Sequence, residues 1–227
     1  MSEDCGRIVL VPTPIGNLGD ITLRGIEVLR GADRIACEDT RRSGVLLAHH
    51  GISGKALVAL HEHNEEWKSK ELAGAAAGGE VIAFISDAGM PGVSDPGYRL
   101  VQACLEAGVA FEVLPGPSAI LTALIGSGLP CHAFRFGGFL SVKAGKRRAA
   151  MGAVLESGET GIFFESPHRI VSTLEILAEI GPEARVCVAR ELTKKFETYH
   201  RGKAGEVLEW FRVNGAKGEM VLLMNGA

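Results

Sequence analysis

Short apolar runs alternate with amphipathic, helix-like stretches through the first half of the chain, from Arg7 to about Leu114. This alternation is typical of β-α-β units, in which parallel strands form a sheet covered by helices. Runs uninterrupted by charge are expected for strands buried on both faces. The predicted strands are IVLV (8–11), RIAC (34–37), ALVAL (56–60), VIAFI (81–85) and FEVL (111–114).

The pattern changes near residue 119, after the turn-forming segment PGPSA (115–119) and an apolar, helix-like run. The sequence therefore predicts two α/β domains, residues 1–118 and 119–227. We expect the first to contain a five-stranded, mostly parallel sheet with helices on both faces, and the second a mixed sheet with helices, with a cofactor cleft between the two domains. The second domain's predicted strands are FRFGGF (134–139), GIFFE (161–165), ARVCVA (184–189) and EMVLLM (219–224).

Several helix boundaries follow from capping rules. Asp20 is predicted to cap the first helix, and Asn64 precedes another helical stretch. In the second domain, Ser166 is predicted as an N-cap with Pro167 at the first helical position, because proline is favoured there.

Two loops rich in glycine and proline follow predicted strands. The first strand runs into Pro12–Asp20, and the fourth runs into Ser86–Gly97, which supplies Asp87, Ser94 and Asp95 among small residues. Because the carboxyl ends of parallel strands meet at one edge, these loops predict a ligand crevice. Neither GxxxxGK[ST] nor GxGxxG after a strand occurs in the sequence, so the usual polyphosphate cradle is missing. A cofactor without phosphate, such as S-adenosylmethionine, fits better.

A set of motifs occurs in order across the chain: VPTPIGNLGDIT, ACEDTRRSG, ISDAGMPGVSDPGY, LPGPSA, FFESPHRI, RELTKKFE and KGEMVL. With them the sequence resembles the tetrapyrrole methylase superfamily from about Ile8 to Met224. Relatives that methylate corrin precursors typically carry Gly-Asp-Pro after the fourth strand, where this chain has Ser86-Asp87-Ala88. This difference, with the EDTR and ESPHR motifs, favours the branch that methylates RNA.

The resemblance implies an S-adenosylmethionine-dependent enzyme that methylates the ribose 2′-hydroxyl of a cytidine in 16S ribosomal RNA of the small ribosomal subunit. It also implies a homodimer. Relatives commonly continue past KGEMVL, so if that extension grips the ribosome, this chain binds its substrate differently or is a shortened form. Two alternatives stay open: a methyltransferase acting on a tetrapyrrole or another small acceptor, and a non-catalytic protein that binds the adenosyl cofactor.

Residues at matching motif positions are implied to contact the cofactor: Pro14, Ile15, Asp87, Gly89, Val93, Ser94, Ser118 and Ala119. Met90 stands where the RNA-modifying group usually has threonine, so a hydroxyl contact there is lost.

Methyl transfer to a ribose oxygen is an in-line displacement, so alignment of the two reactants is the main contribution expected of the protein. No metal is required. A base near the 2′-hydroxyl would help, because this hydroxyl is a poor nucleophile until its proton leaves. The candidate catalytic residues are Glu38, Asp39, Glu165, His168, Arg190 and Glu191.

Composition agrees with a globular protein: 46% of the 227 residues are hydrophobic and the net charge is −3. This charge argues against a general polyanion binder, but local basic runs suit phosphate contacts.

We expect a cytoplasmic protein without a membrane span. Five cysteines without a CxxC pair predict reduced thiols, and four histidines (49, 50, 61 and 63) lack a metal-ligand spacing. The basic residues are Arg41, Arg42, Lys143, Lys146, Arg147, Arg148, Lys194, Lys195, Arg201 and Lys203.

Overall fold

The computed structural model of the protein describes residues 6–226. The chain folds into two compact units, whose boundary in the sequence lies between Ser118 and Ala119. Cys5, predicted as a reduced thiol, lies outside the described residues. Among the described helices, none combines the length and the apolar character needed to cross a membrane.

Unit 1 contains a parallel sheet of five strands in the order β3-β2-β4-β1-β5, which confirms the prediction for the first half of the chain. A short 3-10 helix spans Leu18–Asp20. The strands are β1 (Arg7–Leu10), β2 (Arg34–Cys37), β3 (Ala56–Ala59), β4 (Val81–Ile85) and β5 (Ala110–Val113). The helices are α1 (Leu23–Gly31), α2 (Thr40–His49), α3 (Glu65–Ala77) and α4 (Tyr98–Ala107).

Alternate residues of the central strands enter different hydrophobic clusters, because successive side chains of a strand point to opposite faces. Ala83 and Ile85 of β4 belong to one cluster with residues of α1 and α2. Ile82 and Phe84 belong to another with residues of α3 and α4. Helices therefore cover both faces of the sheet, and the edge at the strands' carboxyl ends carries the loops.

Unit 2 contains a mixed sheet in the order β6-β7-β10-β8-β9. Only the β6–β7 pair is parallel; the other pairs are antiparallel. The strands are β6 (Phe134–Phe139), β7 (Thr160–Glu165), β8 (Arg185–Arg190), β9 (Thr198–Lys203) and β10 (Met220–Asn225). The helices are α5 (Ala119–Ser127), α6 (Ala144–Ser157), α7 (Ile170–Ile180) and α8 (Ala204–Asn214).

Two helix-boundary predictions were wrong, and one strand was missed. Thr22, not Asp20, caps α1 by accepting the N–H of Gly25 at 3.0 Å. Helix α7 begins at Ile170 instead of Pro167, because Ser166 first closes a turn in which its carbonyl accepts the N–H groups of Arg169 and Ile170. Strand β9 was not predicted.

Phe84 lies fully buried at the centre of unit 1. We expect Phe84→Ala to lower the free energy of unfolding by about 3–5 kcal/mol, because it removes buried apolar area and leaves a cavity. Urea unfolding measures the change. Leu105→Ala on α4 is the control, since Leu105 is 60% exposed and its loss should cost little. Equal losses in the two variants would contradict this assignment of the core.

Candidate active site

The loops that follow β1 and β4 are joined by a reciprocal pair of backbone hydrogen bonds. The N–H of Thr13 donates to the carbonyl of Gly89 at 3.0 Å, and the N–H of Gly89 donates to the carbonyl of Thr13 at 2.9 Å. The buried Thr13 hydroxyl also donates to the carbonyl of Ser86 at 3.0 Å. The two predicted ligand loops therefore lie together at the carboxyl edge of the sheet.

Close packing of the loops depends on glycine. Gly89 has a φ of +78°, where a side chain would be strained, and a Cβ built on it would lie 3.4 Å from the Ile15 side chain. A Cβ built on Gly116, in the loop after β5, would lie 2.7 Å from Pro12. The loops after β1, β4 and β5 therefore pack closely at this edge, with backbone in contact at Gly89 and Gly116.

Asp87 connects the β4 loop to the segment after β2. Its Oδ1 accepts the N–H of Asp39 at 3.2 Å, and its Oδ2 accepts from the Arg42 guanidinium at 3.0 Å. In return, the N–H of Asp87 donates to Oε2 of Glu38 at 3.1 Å. The EDTR and DAG motifs, far apart in the sequence, therefore form one hydrogen-bonded network.

Carboxylates crowd this edge, and their pKa values reflect it. Burial raises the pKa of Asp95 to about 7, and the charges of Glu38 and Asp87 add to the shift. Burial also raises the pKa of Glu38, with a further contribution from Asp87, while the N–H of Asp87 and the charge of Arg42 oppose the shift. The arrangement creates a negative potential that would favour a cation.

Asp39 has a different task from Glu38. Its side chain caps α2 by accepting the N–H of Arg41 at 2.8 Å, and it also binds the Arg41 guanidinium. Hydrogen bonds from Arg41 hold the pKa of Asp39 well below its usual range. Asp39 is thereby held in its ionised form at the helix start, and its position suits capping better than proton transfer.

The other residues predicted to contact the cofactor occupy the same loops of unit 1 or the start of unit 2. Pro14 is buried and Ile15 is half-buried beside Gly89. Val93 is half-buried, and Ser94 is exposed with a φ of +62°. Ser118 ends unit 1, and Ala119 is the first residue of α5. Contact of these residues with a cofactor stays a prediction.

Glu165 of the ESPHR motif is buried at the end of β7 and is fully committed to protein contacts. Its Oε1 pairs with the Arg169 guanidinium at 2.6 Å and accepts the N–H of Ser166 at 2.7 Å. Its Oε2 accepts from the Thr173 hydroxyl at 2.8 Å. These contacts join the end of β7 to α7, so Glu165 suits a structural role better than that of a base.

Arg190 is the last residue of β8 and Glu191 follows it, and both bind the neighbouring loops. Arg190 donates to the Thr198 hydroxyl at 3.1 Å. Oε1 of Glu191 accepts from the N–H of Glu219 at 2.9 Å and from the Lys194 ammonium at 3.0 Å, and these hydrogen bonds lower the pKa of Glu191. Glu191 has a φ of +52°. Both side chains therefore stabilise this loop.

Sheet register relates the two catalytic candidates on strands of unit 2. Met220 of β10 pairs with Glu165 on one side and with Arg190 on the other. Two strand spacings separate them, or about 10 Å. His168 lies exposed in the turn after β7. The ESPHR and RELTKK motifs thus share one edge of the second sheet without a direct contact between Glu165 and Arg190 among the described hydrogen bonds.

Sequence reasoning assigned no role to Asp95 and treated Arg42 only as a basic residue. The signal for Asp95 was its position in a loop that also holds Asp87, but its burial could not be inferred from spacing.

Several predicted basic residues are ion-paired, for example Lys203 with Glu183, and Arg147 is buried. In residues 6–226 no group of histidines, cysteines and carboxylates could hold a metal, and Cys37, Cys104, Cys131 and Cys187 are free thiols.

Comparison with known proteins agrees with this architecture. The family model described as "Tetrapyrrole (Corrin/Porphyrin) Methylases" matches residues 7–208. The chain belongs to the tetrapyrrole methylase family. Methylases of this family use S-adenosylmethionine, in agreement with the predicted cofactor.

Curated relatives of this methylase share one name. "Ribosomal RNA small subunit methyltransferase I" of Escherichia coli O157:H7 is 49% identical over 97% of this chain and 78% of its own length. The protein of that name in Hydrogenobaculum sp. is 44% identical over 96% of this chain and 95% of its own length.

Solved structures support the fold. Diphthine synthase matches with a TM-score of 0.74 and 17% identity, over 96% of this chain and 89% of that one. The methyltransferase CobJ matches with a TM-score of 0.71 and 20% identity, over 98% of this chain and 95% of that one.

The residues of this methylase fit S-adenosylmethionine. Its sulfonium and ammonium groups are cations, and Glu38, Asp87 and Asp95 provide a negative edge whose crowding a cation would relieve. Gly89, with a φ of +78°, and Gly116, where a Cβ would lie 2.7 Å from Pro12, leave backbone groups uncovered by a side chain. The bound cofactor supplies an activated methyl group; the protein residues bind and orient it.

The shifted pKa of Asp95 predicts a pH dependence of stability. Because the folded state raises this pKa from 3.8 to about 7, the folded state favours the protonated acid, and stability is lost as the pH rises from about 4 to 7. Asp95→Asn should remove this loss and become more stable than the parent protein toward pH 8. Melting temperature across pH 4–8 measures it.

The exposed Asp20 provides the matched control, because Asp20→Asn makes the same chemical change outside the acidic cluster. Parallel melting curves for Asp95→Asn and the parent protein at every pH would contradict the prediction.

Proposed function

We propose that this methylase transfers the methyl group of S-adenosylmethionine to the ribose 2′-hydroxyl of a cytidine in 16S ribosomal RNA, with the small ribosomal subunit as its partner. The observation that carries the proposal is the 49% identity, over 97% of the chain, to a protein named as a small-subunit ribosomal RNA methyltransferase. The proposal is also supported by the acidic side chains at the carboxyl ends of the strands of unit 1, because they suit a cationic donor. We also propose that it acts in the cytoplasm as a homodimer made of two-domain chains.

A tetrapyrrole or another small acceptor is the alternative, and the identities do not favour it. The compared uroporphyrin-III C-methyltransferase structure is 22% identical, a level that supports the shared fold alone. A non-catalytic role for the cofactor site is also disfavoured, because the family and the named relatives are methylases.

Methyl transfer itself needs two tasks from the protein: holding the donor and receiving the proton of the attacking hydroxyl. Asp87 and the loop around Gly89 would serve the first. For the second, Glu38 is the best placed of the carboxylates, because its raised pKa makes it a stronger base than an ordinary glutamate. Among the described hydrogen bonds, only Oε2 of Glu38 is engaged, which leaves Oε1 for a proton.

Incubation of the protein with tritiated donor and unmethylated small subunits tests the function. We expect label in 16S RNA, at a ribose that resists alkaline cleavage after modification. Corrin precursors offered in the same assay should stay unlabelled. Binding of the donor without label in RNA would refute the proposal, and label in the corrin precursor would support the alternative.

Asp87→Ala should weaken donor binding at least about tenfold, because it removes the carboxylate that holds the β2 and β4 loops together and contributes to the negative edge. Calorimetry with the donor measures this, and the melting temperature checks the fold. Asp33→Ala is the control, since Asp33 also accepts a backbone N–H, from Val81, but lies at the amino ends of the strands. Equal donor affinity in all three proteins would mean that the loop has been misassigned.

Glu38→Gln tests the base. We expect kcat to fall about 100-fold or more at saturating donor, because the amide is isosteric but does not accept the proton. Single-turnover methylation against pH measures the effect. Glu165→Gln, the comparison, should mainly lower the melting temperature, because Glu165 stabilises α7. An unchanged rate in a folded Glu38→Gln protein would exclude Glu38 as the base.

A further inference from the structure

Two helices of unit 2 begin at the same edge of its sheet. Strands β6 and β7 run parallel, with Phe139 paired to Phe164 near their carboxyl ends. The segment after β6 leads into α6, and the ESPHR segment leads into α7. The Arg169 guanidinium donates to the carbonyl of Leu140 at 2.9 Å and joins the two segments.

The start of α6 offers unpaired backbone donors. Lys143 occupies the N-cap position without a capping side-chain bond, and the first turn carries no acidic residue. The first helical N–H with an acceptor is that of Arg147, which donates to the carbonyl of Lys143. Within residues 6–226, no acceptor is found for the N–H groups of Ala144, Gly145 and Lys146, which are exposed residues. Such groups bind anions.

Arg147 is an independent indication of a ligand. The residue is only 6% exposed, yet its Nε has no hydrogen-bond partner among the described residues. Helical side chains lean toward the N-terminus of their helix, so Arg147 covers the first turn of α6. A buried guanidinium N–H without a partner is costly, and an anion at the turn would remove this cost.

The surroundings of this turn fit a polynucleotide better than a small phosphate compound. Lys143 and Lys146 are exposed and can approach further phosphates. Phe139, at the end of β6, is 65% exposed, although its ring packs edge-on against Phe164. Exposed aromatic rings beside basic groups are surfaces on which RNA bases stack.

We propose that the N-terminal turn of α6, with Arg147, Lys143 and Lys146, binds a backbone phosphate of the RNA acceptor, and that Phe139 stacks on a nearby base. The proposal rests on the proposed function for its choice of RNA. The phosphate oxygens accept from the N–H groups of Ala144–Lys146 and from the Arg147 guanidinium.

Two variants test the site, one by removing a positive charge and the other by adding a negative charge. Arg147→Met keeps a buried apolar stem and removes the charge. Gly145→Asp adds a negative charge where a Cβ meets open space, and an acidic residue in the first turn stabilises a helix while it repels phosphate. Each variant should weaken binding of a fluorescent RNA of about twelve nucleotides by about five- to tenfold, as measured by anisotropy. For Arg147→Met, the slope of log affinity against log salt should fall by about 0.7.

Matched controls lie on the same helix. Arg148→Met removes a neighbouring arginine that pairs with Glu179, and Gly152→Asp adds the same charge at a position that also has open space. Position 152 is about 10 Å further along the helix. Neither control should change the RNA affinity by more than about twofold, because neither position touches the turn.

Phe139→Leu distinguishes RNA from free phosphate as the ligand, because it should weaken binding of the oligonucleotide but leave competition by inorganic phosphate unchanged.

Melting temperatures identify variants that fail to fold. If Arg147→Met fails to fold, Gly145→Asp alone decides. The site is refuted by wild-type RNA binding that is absent or salt-independent, by full RNA affinity in either folded variant, or by equal losses in the controls. Methylation by the wild-type protein is assayed separately, so failure of the enzymatic proposal is distinguishable.

Discussion

The paired backbone bonds between Thr13 and Gly89 are the constraint on which the candidate active site of unit 1 depends. They tie the loop after β1 to the loop after β4, two strands that are neighbours in the sheet although 70 residues of sequence separate them. Only a residue that tolerates a φ of +78° without strain fits at position 89. With these loops fixed, the carboxylates that follow β2 and β4 are brought to one edge, where their charges interact.

Repulsion between crowded carboxylates lowers the stability of the folded state. The hydrogen bonds around Asp39 and Asp87 offset this repulsion only in part. Arg42 and the N–H of Asp39 compensate Asp87, and Arg41 compensates Asp39. Burial and the charges of Glu38 and Asp87 raise the pKa of Asp95 to about 7, and no ion pair of Asp95 is found within residues 6–226. A site that keeps an uncompensated acidic group is arranged to receive a positive ligand, and this agrees with a sulfonium donor.

Most of the fold follows from the sequence because buried parallel strands are apolar throughout and the helices between them are amphipathic. Strand β9 (TYHRGK) escaped prediction because it is an edge strand with half-buried or exposed residues, so it carries no apolar run. The start of α7 was misplaced because a turn at Ser166 also satisfies the local pattern. The sequence named Glu38, Asp39 and Asp87 as separate candidates, and their network depends on β2 and β4 being neighbours in the sheet. The contacts of Glu165 depend on Thr173 and Arg169, which only the packed helix supplies.

The two units carry local charges of opposite sign, and this reconciles a net charge of −3 with an RNA substrate. The donor is a cation and the acceptor a polyanion, so no single uniform potential suits both. Unit 1 concentrates carboxylates at the ends of β2 and β4, while the start of α6 in unit 2 presents lysines, a buried arginine and free backbone N–H groups. Glu165, at the end of β7, forms an ion pair with Arg169, which offsets its repulsion of a phosphate. Because salt screens exposed charges beyond about a Debye length, the charges next to a site matter most for its ligand, and the net charge of the chain says little about either ligand.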